Sequence, residues 1–106
     1  MSNTAVELFT AVPKTVNCAQ AVAAGTGHGE MVDDLAASGG GKAPGGLCGA
    51  LYSALLIVPE SRREMVRKKF IEIAGAADCV TLKMRSRTSC VRCVDIAAEL
   101  VEKYGR

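Results

Sequence analysis

Apolar residues recur along this 106-residue chain at intervals of three and four and nowhere in sustained alternation, so the pattern predicts helices and no sheet. Residues 4–12 read as a short helix that stops before Pro13, because the residue preceding a proline avoids the helical region. Thr15 is placed as the N-cap of a second helix reaching about Ala24, with Gly25 just past its end and Cys18 at its third position. Residues 47–58 are apolar on every side apart from Ser53 and the Tyr52 hydroxyl, which predicts a buried central helix closed by Pro59. Ser61-Arg62-Arg63-Glu64 has the form of a capping box opening a helix whose inward residues are Val66, Phe70, Ile73 and Ala77. Gly75 loosens its end, and Asp78 is positioned to cap a short turn carrying Cys79.

The last helix has the clearest pattern. With Ser89 as N-cap, Cys93, Ala97, Leu100 and Tyr104 form one inward stripe, and Cys90, Val94, Ala97 and Val101 form the adjoining one. Arg92, Asp95, Glu99, Glu102 and Lys103 fall on the other side. The expected architecture is all-α: one small helical bundle over residues 1–106 around a central apolar helix, with glycine-rich loops near 25–29 and 39–46.

A chain of this size buries roughly 60–68% of its unfolded surface, so its cysteines are not required as staples. No apolar run reaches the 18 residues of a membrane span. Residues 1–10 lack the basic start and apolar core of a secretory signal, which points to a cytosolic protein, where disulfides are transient or catalytic. The formal charge of +2 hides an asymmetry, because residues 61–92 hold nine basic and three acidic side chains and are net +6. Helical spacing spreads these bases over a solvated face, Glu64 precedes Lys68 in the favourable ion-pair order, and four aromatics are too few for base stacking. Nucleic acid is therefore not the expected partner.

The stretch 39–46, Gly-Gly-Gly-Lys-Ala-Pro-Gly-Gly, superficially suggests a phosphate loop. It fails that template, since Ala43 replaces the metal-binding hydroxyl, Ala36 the first glycine, and no strand precedes it. His28, the only histidine, reads as a loop residue, and Asp33, Asp34 and Lys42 as solvated ones. With Val94 after Cys93 there is no Cys-x-x-Cys-His site for covalent haem.

What stands out chemically is five cysteines, Cys18, Cys48, Cys79, Cys90 and Cys93, each in or near the first turn of an expected helix. There the unpaired N–H groups and the helix dipole favour thiolate over thiol. Three outcomes start from these residues. One is a redox site using Cys48, Cys90 and Cys93, as in a thiol-based oxidoreductase. In it Cys90, beside Arg87 and Arg92, attacks, and Cys93 or Cys48 resolves. Another is a metal or iron–sulfur module, with iron–sulfur cluster or zinc held by Cys18, Cys48, Cys79 and Cys90. The third is a structural partner-binding bundle in which the cysteines are small core residues. The redox site expects Cys48 beside Cys90 or Cys93, Cys18 on the rim of the same pocket and the 39–46 loop over it. Its partners would be a redox protein that the sequence does not identify, with self-association also compatible.

At these residues the chain resembles a family of small predicted redox-active proteins named for a C–GCAxxG–C–C pattern. The resemblance covers most of the chain: Asn17-Cys18-Ala19-Gln20-Ala21-Val22, the glycines leading into Cys48-Gly49-Ala50-Leu51, then Cys79, then Cys90 followed by Val94 and an alanine-rich helix. It implies that the four family cysteines correspond to Cys18, Cys48, Cys79 and Cys90, and that the role is redox. It names neither substrate nor cofactor. Ser53 departs from the pattern where the motif has its second glycine, a change small enough to keep close helix approach. Cys93 is additional, and either completes a dithiol or replaces a core side chain.

Overall fold

The computed structural model describes residues 3–10, 16–32, 46–84 and 88–105, with the backbone alone at Asn3, Thr4, Met31, Cys79, Val80, Lys83 and Cys90. Among these residues six α-helices follow in order: α1 (Asn3–Thr10), α2 (Cys18–Gly25), α3 (Gly49–Ile57), α4 (Glu60–Ala74), α5 (Cys79–Met84) and α6 (Cys90–Tyr104), with a 3-10 turn at Gly29–Met31. The all-α expectation holds. Among the described residues the sole extended pairing is an isolated bridge between Leu47 and Asp78, and no helix is long and apolar enough to cross a membrane.

Local signals explain most boundaries. Helix α2 starts later than expected, at Cys18, because Asn17 and Gln20 form a reciprocal capping box. Asn17 Oδ1 accepts the Gln20 N–H at 2.8 Å and Gln20 Oε1 accepts the Asn17 N–H at 2.9 Å, satisfying two donors where a single hydroxyl satisfies one. Thr15, the expected cap, lies outside the described residues, as does Pro13, and a 3-10 turn follows α2 at Gly29–Met31. Gln20 Nε2 also donates to the Val32 carbonyl at 2.9 Å, folding the segment after α2 back onto its start.

The α3–α4 corner corrects a second boundary. Pro59 forces Val58 into an extended conformation (φ −71°, ψ 153°), ending α3 at Ile57. Pro59, with φ −56°, is itself the N-cap of α4 and makes no side-chain cap, so Ser61 sits inside the helix and the expected capping box does not form. Arg63 Nε instead donates to the Leu55 carbonyl at 2.7 Å, satisfying one of the last acceptors of α3.

Along α4 the buried row is Val66, Phe70 and Ala74, spaced by four, which is the ridge that seats against neighbouring helices. Ile73, expected inside, is 52% exposed, because a step of three from Phe70 rotates it off that row. Ala77 lies beyond the helix and is half-buried. Gly75 ends α4 in the left-handed region at φ 103°, where its N–H reaches the Ile71 carbonyl at 2.8 Å.

Helix α2 packs on α1, α3 and α6, and α3 and α4 both pack on α6. Their inward residues, led by Phe70, Leu51, Leu82, Val22, Val58, Val66 and Val94, form one continuous core. Helix α3 is central as expected, although Leu56 near its end is 40% exposed. Ala19 and Ala23 of α2 pack on Tyr52 and Ile57. At about 100° per residue, Gly49 and Ser53 fall between those two on the α3 circumference, so small residues of both helices meet. Gly25 sets the approach of α1, since a Cβ there would lie 2.5 Å from the Ala5 nitrogen.

Candidate functional site

Each cysteine occupies a helix start. Cys18 is the first residue of α2, Cys48 the N-cap of α3, Cys79 the first residue of α5 and Cys90 the first of α6, with Cys93 one turn further on. Cys18 and Cys48 both sit nearer their helix ends than the sequence suggested, and so closer to the N–H groups that lack intrahelical acceptors. Cys18, Cys48 and Cys93 are buried thiols, 7%, 6% and 2% exposed, and all three belong to the main core cluster.

The segment between α4 and α5 gathers three of these helix starts. The Cys48 N–H donates to the Ala77 carbonyl at 2.9 Å, and Leu47 bridges Asp78, so α3 begins beside α5. Thr88 Oγ1 donates to the Ala74 carbonyl at 2.7 Å and its N–H to the Leu82 carbonyl at 2.9 Å, so α6 begins against the same segment. Caps then fix each end. Asp78 Oδ2 accepts the Thr81 N–H at 2.9 Å, and that bond, together with the Thr81 hydroxyl, holds the Asp78 carboxyl below the ordinary aspartate value. Ser89 Oγ accepts the Arg92 N–H at 3.1 Å, as its placement as N-cap anticipated. The Cys93 N–H bonds the Ser89 carbonyl at 3.0 Å and the Cys48 carbonyl accepts the Tyr52 N–H at 2.9 Å, so both cysteines are anchored in their first turns.

The inward stripe of α6 is as expected at Cys93, Val94, Ala97, Leu100 and Val101, while Tyr104 is half-buried. Ile96 and Ala98 are buried as well, because α6 is covered by α1 and α4 as well as by α2 and α3. Among the described residues no group of three or more His, Cys, Asp or Glu side chains is placed to hold a metal ion. The four-cysteine metal set needs the sulfurs of Cys79 and Cys90, and the pocket cover expected from 39–46 needs that loop. Apart from Gly46 of the loop, these lie outside the described residues.

Other candidates resolve into surface features. His28 is half-exposed, bonds Ala23 through its N–H at 2.8 Å and stands 3.7 Å from Glu30. Arg67, Lys68 and Lys69 are exposed on α4, with Lys68 4.0 Å from Glu64, the pair the spacing suggested. Arg85 and Arg87 lie outside the described residues. The sequence reading missed the Asn17/Gln20 box, which its three-residue spacing could have revealed. It also missed the role of Ala74 and Ala77, which act through main-chain carbonyls that no side-chain motif encodes. Ser53 is fully buried and its Oγ has no hydrogen-bond partner among the described residues. Compared with known proteins, the chain matches no family model, no curated protein and no solved structure.

Proposed function

We propose that this is a thiol redox protein of a reducing, cytosolic compartment, in which Cys90 and Cys93 undergo reversible disulfide exchange and Cys48 is an alternative resolving thiol. The observation that carries this is the cysteine pair in the first turn of α6, with Cys90 at the helix start and Cys93 2% exposed. Residues three apart on a helix share a face with Cβ atoms about 5–6 Å apart, and a disulfide needs about 3.5–4.5 Å. Closure therefore asks the first turn to draw in by about 1–2 Å, which a helix end tolerates better than its middle. The helix N-terminus favours the Cys90 thiolate, and its neighbours Val91 and Arg92 are exposed.

In the forward step the Cys90 thiolate attacks one sulfur of an external disulfide RSSR, releasing one RS⁻ and forming a mixed disulfide. Cys93 then loses its proton and attacks the Cys90 sulfur, releasing the second RS⁻. The sum is two protein thiols plus RSSR giving one protein disulfide plus two RSH, with the two protons passing to the leaving thiolates. Reaction rates with a neutral disulfide should show one cysteine, Cys90, titrating well below the ordinary value of about 8.5. Cys93→Ser combined with Cys48→Ser should trap the mixed disulfide at Cys90. Five cysteines that all titrate normally or stay inert would overturn the proposal.

A further inference from the structure

A groove of about 260 Å³ runs between α4 and α6, away from every described cysteine. Its floor is apolar, made by the inward-lying Ile96 and Leu100, and Ile73 and Tyr104 stand along its walls. Because the Ala74 carbonyl at the end of α4 is tied to Thr88 just before α6, the two helices pass in opposite senses. Earlier residues of α4 therefore lie beside later residues of α6. This puts Lys69 and Lys103 toward one end of the groove and Glu72 and Glu99 toward the other. Lys103 is drawn to the wall, its Nζ 5.4 Å from the Tyr104 ring centre.

The face continues outward. Lys69 and Glu72 also border a shallower depression containing Met65, Glu64 and Lys68. Met65 and Ile73 are 37% and 52% exposed, large apolar side chains that gain by being covered. Over the whole face three lysines (Lys68, Lys69, Lys103) meet three glutamates (Glu64, Glu72, Glu99), so it is neutral on a chain whose basic excess lies elsewhere.

We propose that this face is where two copies of the chain meet about a twofold axis. A groove positive at one end and negative at the other is its own complement when turned through half a revolution. The Lys69/Lys103 end of each copy then lies on the Glu72/Glu99 end of its partner, and each Ile73 enters the apolar groove opposite. A neutral face with alternating sign does not repel its copy, whereas a basic or acidic partner would match only half of it. A standard interface covers about 800 Å² per partner. That is roughly a seventh of the 5852 Å² surface, within reach of two helices and the grooves beside them.

The test is sedimentation equilibrium of the full chain under reducing conditions, which excludes disulfide-linked dimers. The wild type should dimerise reversibly. Lys69→Glu with Lys103→Glu makes both ends acidic, and Glu72→Lys with Glu99→Lys makes both ends basic. Each double variant should weaken self-association by more than about tenfold, equivalent to 1.4 kcal/mol. Mixed in equal amounts, the two should form a heterodimer, and Ile73→Asp in either should abolish it. All four charge positions are exposed, so the variants should keep the wild-type helical signal and melting curve. A wild type that stays monomeric to millimolar concentration overturns the proposal, as does a dimer that the charge changes do not weaken. So does a heterodimer indifferent to Ile73→Asp, which would reflect opposite net charge alone.

Discussion

Replacing Gly25 by alanine separates two effects that usually travel together. In a helix, alanine is favoured over glycine by up to about 1 kcal/mol, and by less at the last residue of a helix, where Gly25 stands. Against this, the new Cβ would fall 2.5 Å from the Ala5 nitrogen and 2.6 Å from the Ala5 Cβ, where ordinary contact begins at 3.4 Å. The obstacle is mainly backbone, so α1 must retreat by about 0.9 Å, the difference between 3.4 and 2.5. A gap of that size forfeits a quarter to a half of the contact energy of the facing atoms. Helix α1 carries Ala5 and Phe9 into the core, and their full burial is worth roughly 4 kcal/mol together. The loss is thus about 1–2 kcal/mol in packing, to which residual overlap adds, and it exceeds the propensity gain. Net of the propensity gain, thermal unfolding should fall by up to about 16 °C, at roughly 4–8 °C per kcal/mol for a domain near this size. Gly29→Ala is the control. Its Cβ meets nothing within 4 Å, so stability should stay within about 0.5 kcal/mol of wild type. If Gly25→Ala melts at or above the wild-type temperature, the close approach of α1 to α2 is not what keeps glycine there.

Ser53→Ala should raise stability by about 1 kcal/mol in urea unfolding, because a buried hydroxyl without a partner costs more than the methyl that replaces it. A drop in stability would mean that the hydroxyl is satisfied. Asp78→Ala should lower the melting temperature at neutral pH by removing the α5 cap. The folded-state value of Asp78 is depressed, so its contribution is present above the ordinary aspartate value of about 3.9 and disappears as pH falls through the lower folded value. The gap between wild type and Asp78→Ala should therefore be constant from neutral pH to about pH 4 and close below it. A gap that persists unchanged in strong acid would disprove the charge-assisted cap.

What could be read from the chain was whatever side chains encode locally. Ser89 and Asp78 were placed correctly as caps because an acceptor oxygen before a helix acts on N–H groups two or three residues away. The α6 stripe was legible because fifteen residues sample four turns of one periodicity. Ile73 was misplaced because intervals of three and four are equally helical on paper, and only the neighbours of α4 choose the row of four. Pro59 was read as a stop, yet its φ also starts the next helix. The meeting of the α3 and α6 starts with residues 74–78 was not legible in the sequence. Cys48 is tied to Ala77 through main-chain atoms common to every residue, which leave no mark in the sequence.

That main-chain tie also orders events in time. The acceptor for the Cys48 N–H is made roughly thirty residues after Cys48 itself, and such a loop closes only once its intervening helices have shortened the search. Until Gly75 turns the chain and presents Ala77, the start of α3 has no cover from this segment, and its thiol meets whatever oxidant or metal the surroundings offer. Folding thus acts as the gate on thiol chemistry at Cys48, which is synthesised early and covered late, whereas Cys90 and Cys93 emerge after the segment that anchors α6 already exists. A slow-folding variant would for that reason accumulate oxidative damage first at Cys48, even though the folded protein buries it.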